Sequence, residues 1–249
     1  MDQKRDYMTQ TQASYAEYDV GLRSYMMSVY NYMGGALALT GVVAYATYVL
    51  SVAGVNANGQ ILLTGIGQAI YLSPLKWVVM LAPLGMVFLL SARIKSMSFA
   101  GAQISFAVFA GLMGLSLSSI FLQFQHDSIA KVFFITAATF GALSIYGYTT
   151  KKSLSGMGTF LFMGVIGILI ASVVNIFLGS AMLQFVISIG GVLVFAGLTA
   201  YDTQNIKNMY NELDSSDSAG KKAIFGALQL YLDFINMFMF MLQLFGNRE

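Results

Sequence analysis

Residues 224–245 read IFGALQLYLDFINMFMFMLQLF, an apolar run long enough to cross a lipid bilayer as one helix. Four polar residues interrupt this run: Gln229, Asp233, Asn236 and Gln243. At about 100° per residue they fall within an arc of about 80°, so they share one face of an otherwise apolar helix. A carboxylate in a membrane-spanning helix costs about 2.5–3.5 kcal/mol on insertion scales, so Asp233 is expected to turn inward. The rest of the chain has to supply its partner and the wall around this helix.

The composition of the 249-residue chain is that of an integral membrane protein, because 57% of its residues are apolar and 10% are charged. The formal charge of +2 is too small to favour nucleic acid, and no nucleic-acid partner is expected. The chain has no cysteine, which excludes thiolate metal sites, and its single histidine, His126, excludes clusters of several histidines. We expect no bound cofactor, and we expect His126 to be solvated in a polar connection.

Seven apolar runs have the length and composition of membrane-spanning helices. They cover residues 29–52, 76–92, 99–122, 129–149, 157–179, 182–201 and 224–245. The sequence thus predicts a polar cytoplasmic segment at residues 1–28 and a transmembrane domain at residues 29–249. The N-terminal segment lacks the pattern of a cleaved signal peptide, so the first run is expected to remain as a membrane anchor. Small residues recur in the third and sixth runs, and we expect close helix packing at Ala107, Gly111, Gly114, Ser118, Gly190, Gly191 and Gly197.

The basic residues favour one orientation in the membrane. If alternate connections face opposite sides, ten of the thirteen basic residues share a side with the N-terminus. These are Lys4, Arg5, Arg23, Arg93, Lys95, Lys151, Lys152, Lys207, Lys221 and Lys222, whereas Lys76, Lys131 and Arg248 lie on the other side. Because cytoplasmic connections carry the excess of lysine and arginine, this distribution predicts a cytoplasmic N-terminus and an outside, periplasmic C-terminus.

Two of the eleven acidic residues lie in or against an apolar run, namely Asp202 and Asp233. Both are expected in the inside half of the membrane, and we expect their helices to be antiparallel neighbours because a connection of about 22 residues joins the two runs. Two carboxylates at hydrogen-bonding distance cannot both ionise cheaply, so such a pair titrates as one unit. We predict a pH switch: a shared proton ties the two helices together, whereas the ionised pair repels itself and attracts Arg93 or a hard cation. The alternatives are a wetted helix end for Asp202 and a snorkelling anchor for Arg93.

Three segments resemble a known family. They are FGALSIYGYTTKK at residues 140–152, LTAYDTQ at 198–204 and YLDFIN at 231–236, and they are similar to the Bax inhibitor-1 (TMBIM) family in its bacterial YccA-type branch. The resemblance implies an all-α membrane protein of seven transmembrane helices, with the C-terminal helix surrounded by the other six. It also implies a pH-sensitive calcium leak of the bacterial inner membrane, in which Asp202 and Asp233 are the sensor pair and Arg93 is the basic residue of the second helix.

Three functions therefore compete. The first is a passive cation leak, chiefly for calcium, in which Asp202 and Asp233 bind the ion weakly and transiently and Gln229, Asn236 and Gln243 line the pore or the bundle. The second is a membrane-integrated regulator that binds a quality-control or survival partner through the loop from Lys207 to Lys222. The third is an intramembrane aspartyl protease, because two aspartates that share a proton are also the apparatus of aspartic proteolysis. The context of Asp233 lacks the GxGD pattern of such proteases, so we expect no enzyme.

Overall fold

A computed structural model describes the backbone of residues 2–56 and 60–248 and the side chains of residues 19–56 and 60–248. Within these residues, seven long helices make up the fold. They are α1 (Asp2–Ser51), α2 (Leu75–Arg93), α3 (Phe99–Leu117), α4 (His126–Thr149), α5 (Ser155–Leu178), α6 (Ala181–Asn208) and α7 (Ser216–Phe245). Each contains a stretch long and apolar enough to cross a membrane. The predicted all-α, seven-helix membrane fold is confirmed.

The first helix differs from the predicted domain boundary. α1 runs without a break through residues 28 and 29, where the polar segment was expected to end. Leu22, Tyr25 and Met26 are buried and belong to the hydrophobic core, so the bundle begins before the first apolar run does. Most of the predicted polar segment, residues 1–18, lies outside the residues whose side chains are described.

The connection from α1 to α2 contains the two strands that the structure describes. β1 (Val52–Val55) and β2 (Ile61–Leu63) pair antiparallel, with a register irregularity between Val52 and Gly54. Gly54 has φ 145°, a backbone conformation that favours glycine. Residues 57–59, at the turn, lie outside the described residues. A short helical segment at residues 65–72 follows, and this uncharged region forms the predicted loop between the first two spans.

The C-terminal helix α7 is the centre of the bundle. In its most apolar stretch of 18 residues 67% of the positions are buried, against 11–33% in the other six helices. It packs against α1, α3, α4 and α6, whereas α2 packs mainly on α3 and α5 mainly on α6. The six surrounding helices therefore contribute unequally, with four forming the inner wall and two forming an outer layer.

Glycines let several of these helices approach closely at Gly114, Gly191 and Gly197, as predicted. The same prediction is wrong for Gly111 and Gly190, where an added Cβ atom meets nothing within 4 Å. A Cβ atom added at Gly114 would lie 2.6 Å from the carbonyl oxygen of Thr40 on α1. Added Cβ atoms at Gly191 and Gly197 would collide with the side chains of Phe240 and Leu161. Small residues at these positions thus allow the helices to pack at short distances.

Candidate functional site

Helix α6 carries Asp202 inside its regular structure. The sequence predicted that the sixth span ends at residue 201, but α6 continues to Asn208. The C-terminal part of α6 is polar in sequence but still packs one face against the bundle. This face consists of residues at helical spacing that are fully buried, namely Thr199, Thr203 and Ile206. Thr203 Oγ1 donates to the carbonyl oxygen of Thr199 over 2.7 Å, which satisfies its hydroxyl within the helix. Asp202 is consequently held on a rigid helix, where it is half-buried.

Helix α7 carries Asp233 at the centre of the protein. The helix starts after Ser215, whose hydroxyl accepts from the backbone N–H of Ser218 over 3.3 Å and caps the first turn. Asp233 is only 4% exposed, and its helix neighbours Leu230 and Met237 are fully buried. An acidic side chain is rarely buried to this extent unless it is paired.

Asp202 and Asp233 lie side by side between α6 and α7, within hydrogen-bonding reach of each other. Among the residues with described side chains, no N–H or O–H group donates to Oδ2 of Asp233. An ionised carboxylate only accepts hydrogen bonds, so two carboxyl groups can bond to each other only if one of them carries a proton. Asp202 is also within hydrogen-bonding reach of Asn205. The structure therefore brings the two predicted aspartates together and leaves a proton as the group that can join them.

Arg93 does not join this pair. It is exposed at the end of α2, which packs mainly on α3 in the outer layer, while Leu90 and Ile94 are the buried residues of that helix end. Within the described part of the chain, the ion pairs are Lys221 with Asp217 at 2.9 Å and Lys222 with Asp214 at 2.6 Å. Within the described residues, the predicted counter-charge role of Arg93 is therefore not supported by an ion pair.

The other three polar residues of α7 have different surroundings. Gln243 Oε1 accepts hydrogen bonds from Gln184 and, over 3.1 Å, from Ser188, both on α6. Asn236 Nδ2 donates to the carbonyl oxygen of Leu232 in its own helix over 2.8 Å. Gln229 Oε1 is buried, and no donor reaches it from the described residues. All three amides are half-buried within the bundle, and Gln243 ties α7 to α6 at the end opposite the aspartates.

Two residues that the sequence did not single out hold α7 from its other side. Tyr231 is fully buried, and its hydroxyl lies 2.7 Å from Oγ1 of Thr40 on α1. Thr40 Oγ1 lies 2.9 Å from the carbonyl oxygen of Ala110 on α3 and donates its one proton to it, so the tyrosine hydroxyl is the donor to Thr40. Tyr231 precedes Asp233 by two residues and points away from it. The chain of bonds joins α7 to α1 and α3 and fixes the helix that carries Asp233.

We expect Tyr231→Phe to lower the free energy of unfolding by about 0.5–1.5 kcal/mol, which is the net contribution of one hydrogen bond to stability. Thr40 keeps its bond to Ala110 in this variant, so no buried donor is orphaned. Thermal unfolding of the detergent-solubilised protein measures the effect. Tyr146→Phe is the matched control, because Tyr146 is 51% exposed. Equal unfolding temperatures for the two variants would contradict a structural role for the bond.

The acidic groups of the described residues offer few ligands to a metal ion. Where side chains are described, no group of three or more histidine, cysteine, aspartate or glutamate residues is placed to hold a metal. The two aspartates supply at most four of the six to eight oxygens that Ca²⁺ prefers. Carbonyl groups or water would have to complete the shell, so the pair suits weak contact with a passing hard cation better than a resident metal.

Comparison with known proteins agrees with this architecture. The family model described as "Inhibitor of apoptosis-promoting Bax1" matches residues 22–249, beginning at Leu22, the first buried residue among the described side chains of α1. The chain is 44% identical over 232 residues to the inner membrane protein YbhL of Escherichia coli, covering 92% of this chain and 94% of the relative. It is 44% identical to an uncharacterized protein of Rickettsia prowazekii, covering 93% of each chain. It is 32% identical to an uncharacterized membrane protein of Streptococcus pyogenes, covering 94% of this chain and 97% of the relative. The protein therefore belongs to the Bax inhibitor-1 family.

Proposed function

We propose that the protein is a passive cation leak with calcium as its cargo, controlled by the protonation of the Asp202–Asp233 pair. One observation carries this proposal: Oδ2 of Asp233 is buried without a donor, directly beside the carboxyl group of Asp202. A buried acceptor without a donor requires an explanation, and a shared proton or a visiting cation supplies one. The two carboxyl groups belong to different helices, so their protonation state acts on the packing of α6 against α7.

The control follows from electrostatics. With one proton between them, the two aspartates form a hydrogen bond that ties α6 to α7. When that proton leaves, two negative charges face each other. Unit charges about 4 Å apart repel by about 4 kcal/mol at an effective dielectric constant of about 20. A bias of that size changes a two-state equilibrium about a thousandfold. The ionised pair then pushes α6 and α7 apart and at the same time attracts a hard cation. Arg93 takes part in neither step of this proposal.

In this proposal the aspartate pair binds calcium weakly. A cation that conducts has to enter a site readily and also leave it. Because the pair cannot complete the coordination shell of Ca²⁺, water or carbonyl oxygens share the ion, and the ion is released easily. The half-buried amides of Gln229, Asn236 and Gln243 extend the polar face of α7 above and below the pair.

Calcium flux from liposomes tests the proposal. The purified full chain is reconstituted into liposomes that contain a calcium indicator, and external calcium is added at a series of pH values. We expect flux above that of empty liposomes, increasing as the pH rises through the range in which the pair loses its shared proton. Flux equal to that of empty liposomes at every pH would remove the proposed activity.

We further propose an inner-membrane location with the N-terminus in the cytoplasm and the C-terminus on the periplasmic side. The relative YbhL is named as an inner membrane protein, and the ten-to-three distribution of basic residues supports this orientation.

The orientation can be measured by cysteine labelling, since the chain contains no cysteine of its own. Gln60→Cys places a thiol in the connection after α1, and Ser153→Cys places one between α4 and α5, both at exposed positions. In right-side-out inner-membrane vesicles, a membrane-impermeant maleimide is expected to label the first variant at once. The second is expected to react only after permeabilisation. The reverse pattern would invert the proposed topology.

A regulator that binds a membrane protein partner, such as a quality-control protease, is the second candidate. The observation that favours it is Leu213, an apolar side chain that is 92% exposed in the connection between α6 and α7. Capture of one defined membrane partner that is lost in Leu213→Ser, together with no flux from the pure protein, would favour this function. Aspartic proteolysis is not part of either proposal, and cleavage of a membrane substrate by the purified protein would reinstate it.

A further inference from the structure

A groove between α1 and α4 opens on the outer surface of the bundle. Its volume is about 420 Å³, and its lining includes Arg23, Met27, Tyr30, Gly141, Ser144 and Tyr148. α1 and α4 do not pack extensively against each other along this line. Met27 is 54% exposed and Ile145, also in the lining, is 66% exposed, so the groove faces the surroundings of the protein. In a membrane-spanning bundle those surroundings are lipid.

The charged end of the groove distinguishes it from an ordinary lipid-facing surface. Arg23 is exposed there, and in the described part of the chain no carboxylate lies within ion-pair distance of it. Tyr148 lines the same end and holds a second cation, because Lys207 Nζ lies 5.0 Å from the centre of its ring and donates to its carbonyl oxygen over 2.8 Å. No acidic residue is among the lining residues that the structure describes. Arg23 is thus the cation of the described lining, and Lys207 stands next to the groove through its contact with Tyr148.

The dimensions match the upper part of a lipid molecule. From Arg23 to Tyr30 α1 rises about 10 Å, and α4 runs antiparallel to it along the groove. A headgroup phosphate held by Arg23 would therefore leave the first part of an acyl chain beside Met27, Gly141 and Tyr30. Guanidinium is well suited to phosphate because its planar fork donates two hydrogen bonds.

We propose that this groove is a binding site for an anionic glycerophospholipid, with the headgroup phosphate on Arg23 and one acyl chain along α1 and α4. The charge pattern selects phosphatidylglycerol over phosphatidylethanolamine. The ammonium group of the latter would add a positive charge beside Arg23, whereas a glycerol headgroup adds none. At its inner wall the groove reaches Ser144, whose Oγ lies 3.3 Å from Oγ1 of Thr203, so the lipid would lie one residue away from Asp202.

Native mass spectrometry of the full chain in mild detergent tests the site without reference to ion flux. Equal amounts of dioleoylphosphatidylglycerol and dioleoylphosphatidylethanolamine are added, and the ratio of the two bound lipids is measured. We expect phosphatidylglycerol to be preferred, and Arg23→Gln to weaken its binding about fivefold, as expected for losing about 1 kcal/mol of headgroup attraction. Lys151→Gln, a change at another exposed cation, is expected to leave the ratio unchanged.

The groove itself is tested by filling it. Gly141 lines the groove and a Cβ atom added there meets no protein atom within 4 Å, so we expect the side chain of Gly141→Leu to enter the groove. Gly167 on α5 is equally free of neighbours and exposed, which makes Gly167→Leu the matched control. We expect the first variant to lose bound phosphatidylglycerol and the second to retain it. Equal binding of both lipids by the wild type, or retention of the preference in either Arg23→Gln or Gly141→Leu, overturns the assignment.

Discussion

Asp233→Asn is expected to hold calcium flux at the low level of the protonated wild-type protein at every pH. The Nδ2 group of the asparagine can donate a hydrogen bond to the carboxylate of Asp202, in place of the shared proton. The amide does not lose its hydrogens when the pH rises, so this hydrogen bond persists. The tie between α6 and α7 is then permanent. At the high-pH end of the range we expect flux at least about tenfold below that of the wild type, because the variant lacks the charge repulsion that opens the interface.

The comparison uses liposome flux across the same pH series, with Asp217→Asn as the control. Asp217 is also an acidic residue of α7, but it is exposed at the start of the helix and pairs with Lys221. That variant is expected to keep the wild-type pH profile. Asp202→Asn is expected to behave as Asp233→Asn does, and the double variant to be no worse than either, because residues that act as one unit are not additive. An unchanged pH profile in Asp233→Asn would disprove control by the pair while leaving the family assignment intact.

The sequence could predict the seven spans and the special position of α7 because both depend on composition along the chain. Lipid contact demands long apolar runs, and the clustering of polar residues on one face marks a helix that turns this face inward. The pairing of Asp202 with Asp233 was predictable for a similar reason. Buried charge needs a partner, and few acidic residues lie at membrane depth.

Features that depend on helix rotation or on packing outside the lipid were not predictable. Arg93 ends α2 on the same side as the aspartates, but periodicity does not show which side of α2 faces the bundle. The end of α6 was predicted too early because hydropathy measures contact with lipid, whereas Thr203 and Ile206 are buried against protein. His126 was expected in a solvated connection. It begins α4 and is exposed, yet its ring also packs edge-on against the rings of Tyr45, Tyr48 and Phe121.

Helices α4 and α6 approach each other closely at Gly147 on α4, in the segment that resembles the family. A Cβ atom at this position would lie 2.3 Å from the carbonyl oxygen of Ala200 and 3.0 Å from its Cα. Both are backbone atoms of α6, so no side chain can rotate away to make room. Ala200 precedes Asp202 by two residues and is buried. The absence of a side chain at Gly147 therefore sets the position of the part of α6 that carries Asp202.

Gly147→Ala is expected to lower the free energy of unfolding by about 1–3 kcal/mol, the usual cost of forcing an extra carbon atom into a packed interior. The sign of this change in the free energy of unfolding is informative, because alanine is favoured over glycine in a helix by about 1 kcal/mol where space allows. Gly190→Ala on α6 is the matched control, since a Cβ atom there meets nothing within 4 Å. Thermal unfolding of the detergent-solubilised variants should therefore show a lower unfolding temperature for Gly147→Ala and no decrease for Gly190→Ala.

The same variant also connects packing to the proposed switch. Relief of the clash requires α6 to move away from α4, and that movement carries Asp202 relative to Asp233. In folded protein recovered at low temperature, we expect Gly147→Ala to weaken the pH dependence of calcium flux, because a hydrogen bond between carboxyl groups weakens steeply when its geometry is lost. Gly190→Ala is expected to keep the wild-type profile. If Gly147→Ala unfolds at a lower temperature but retains the full pH dependence, α6 is free to shift without disturbing the pair, and the rigid placement of Asp202 by α4 is wrong.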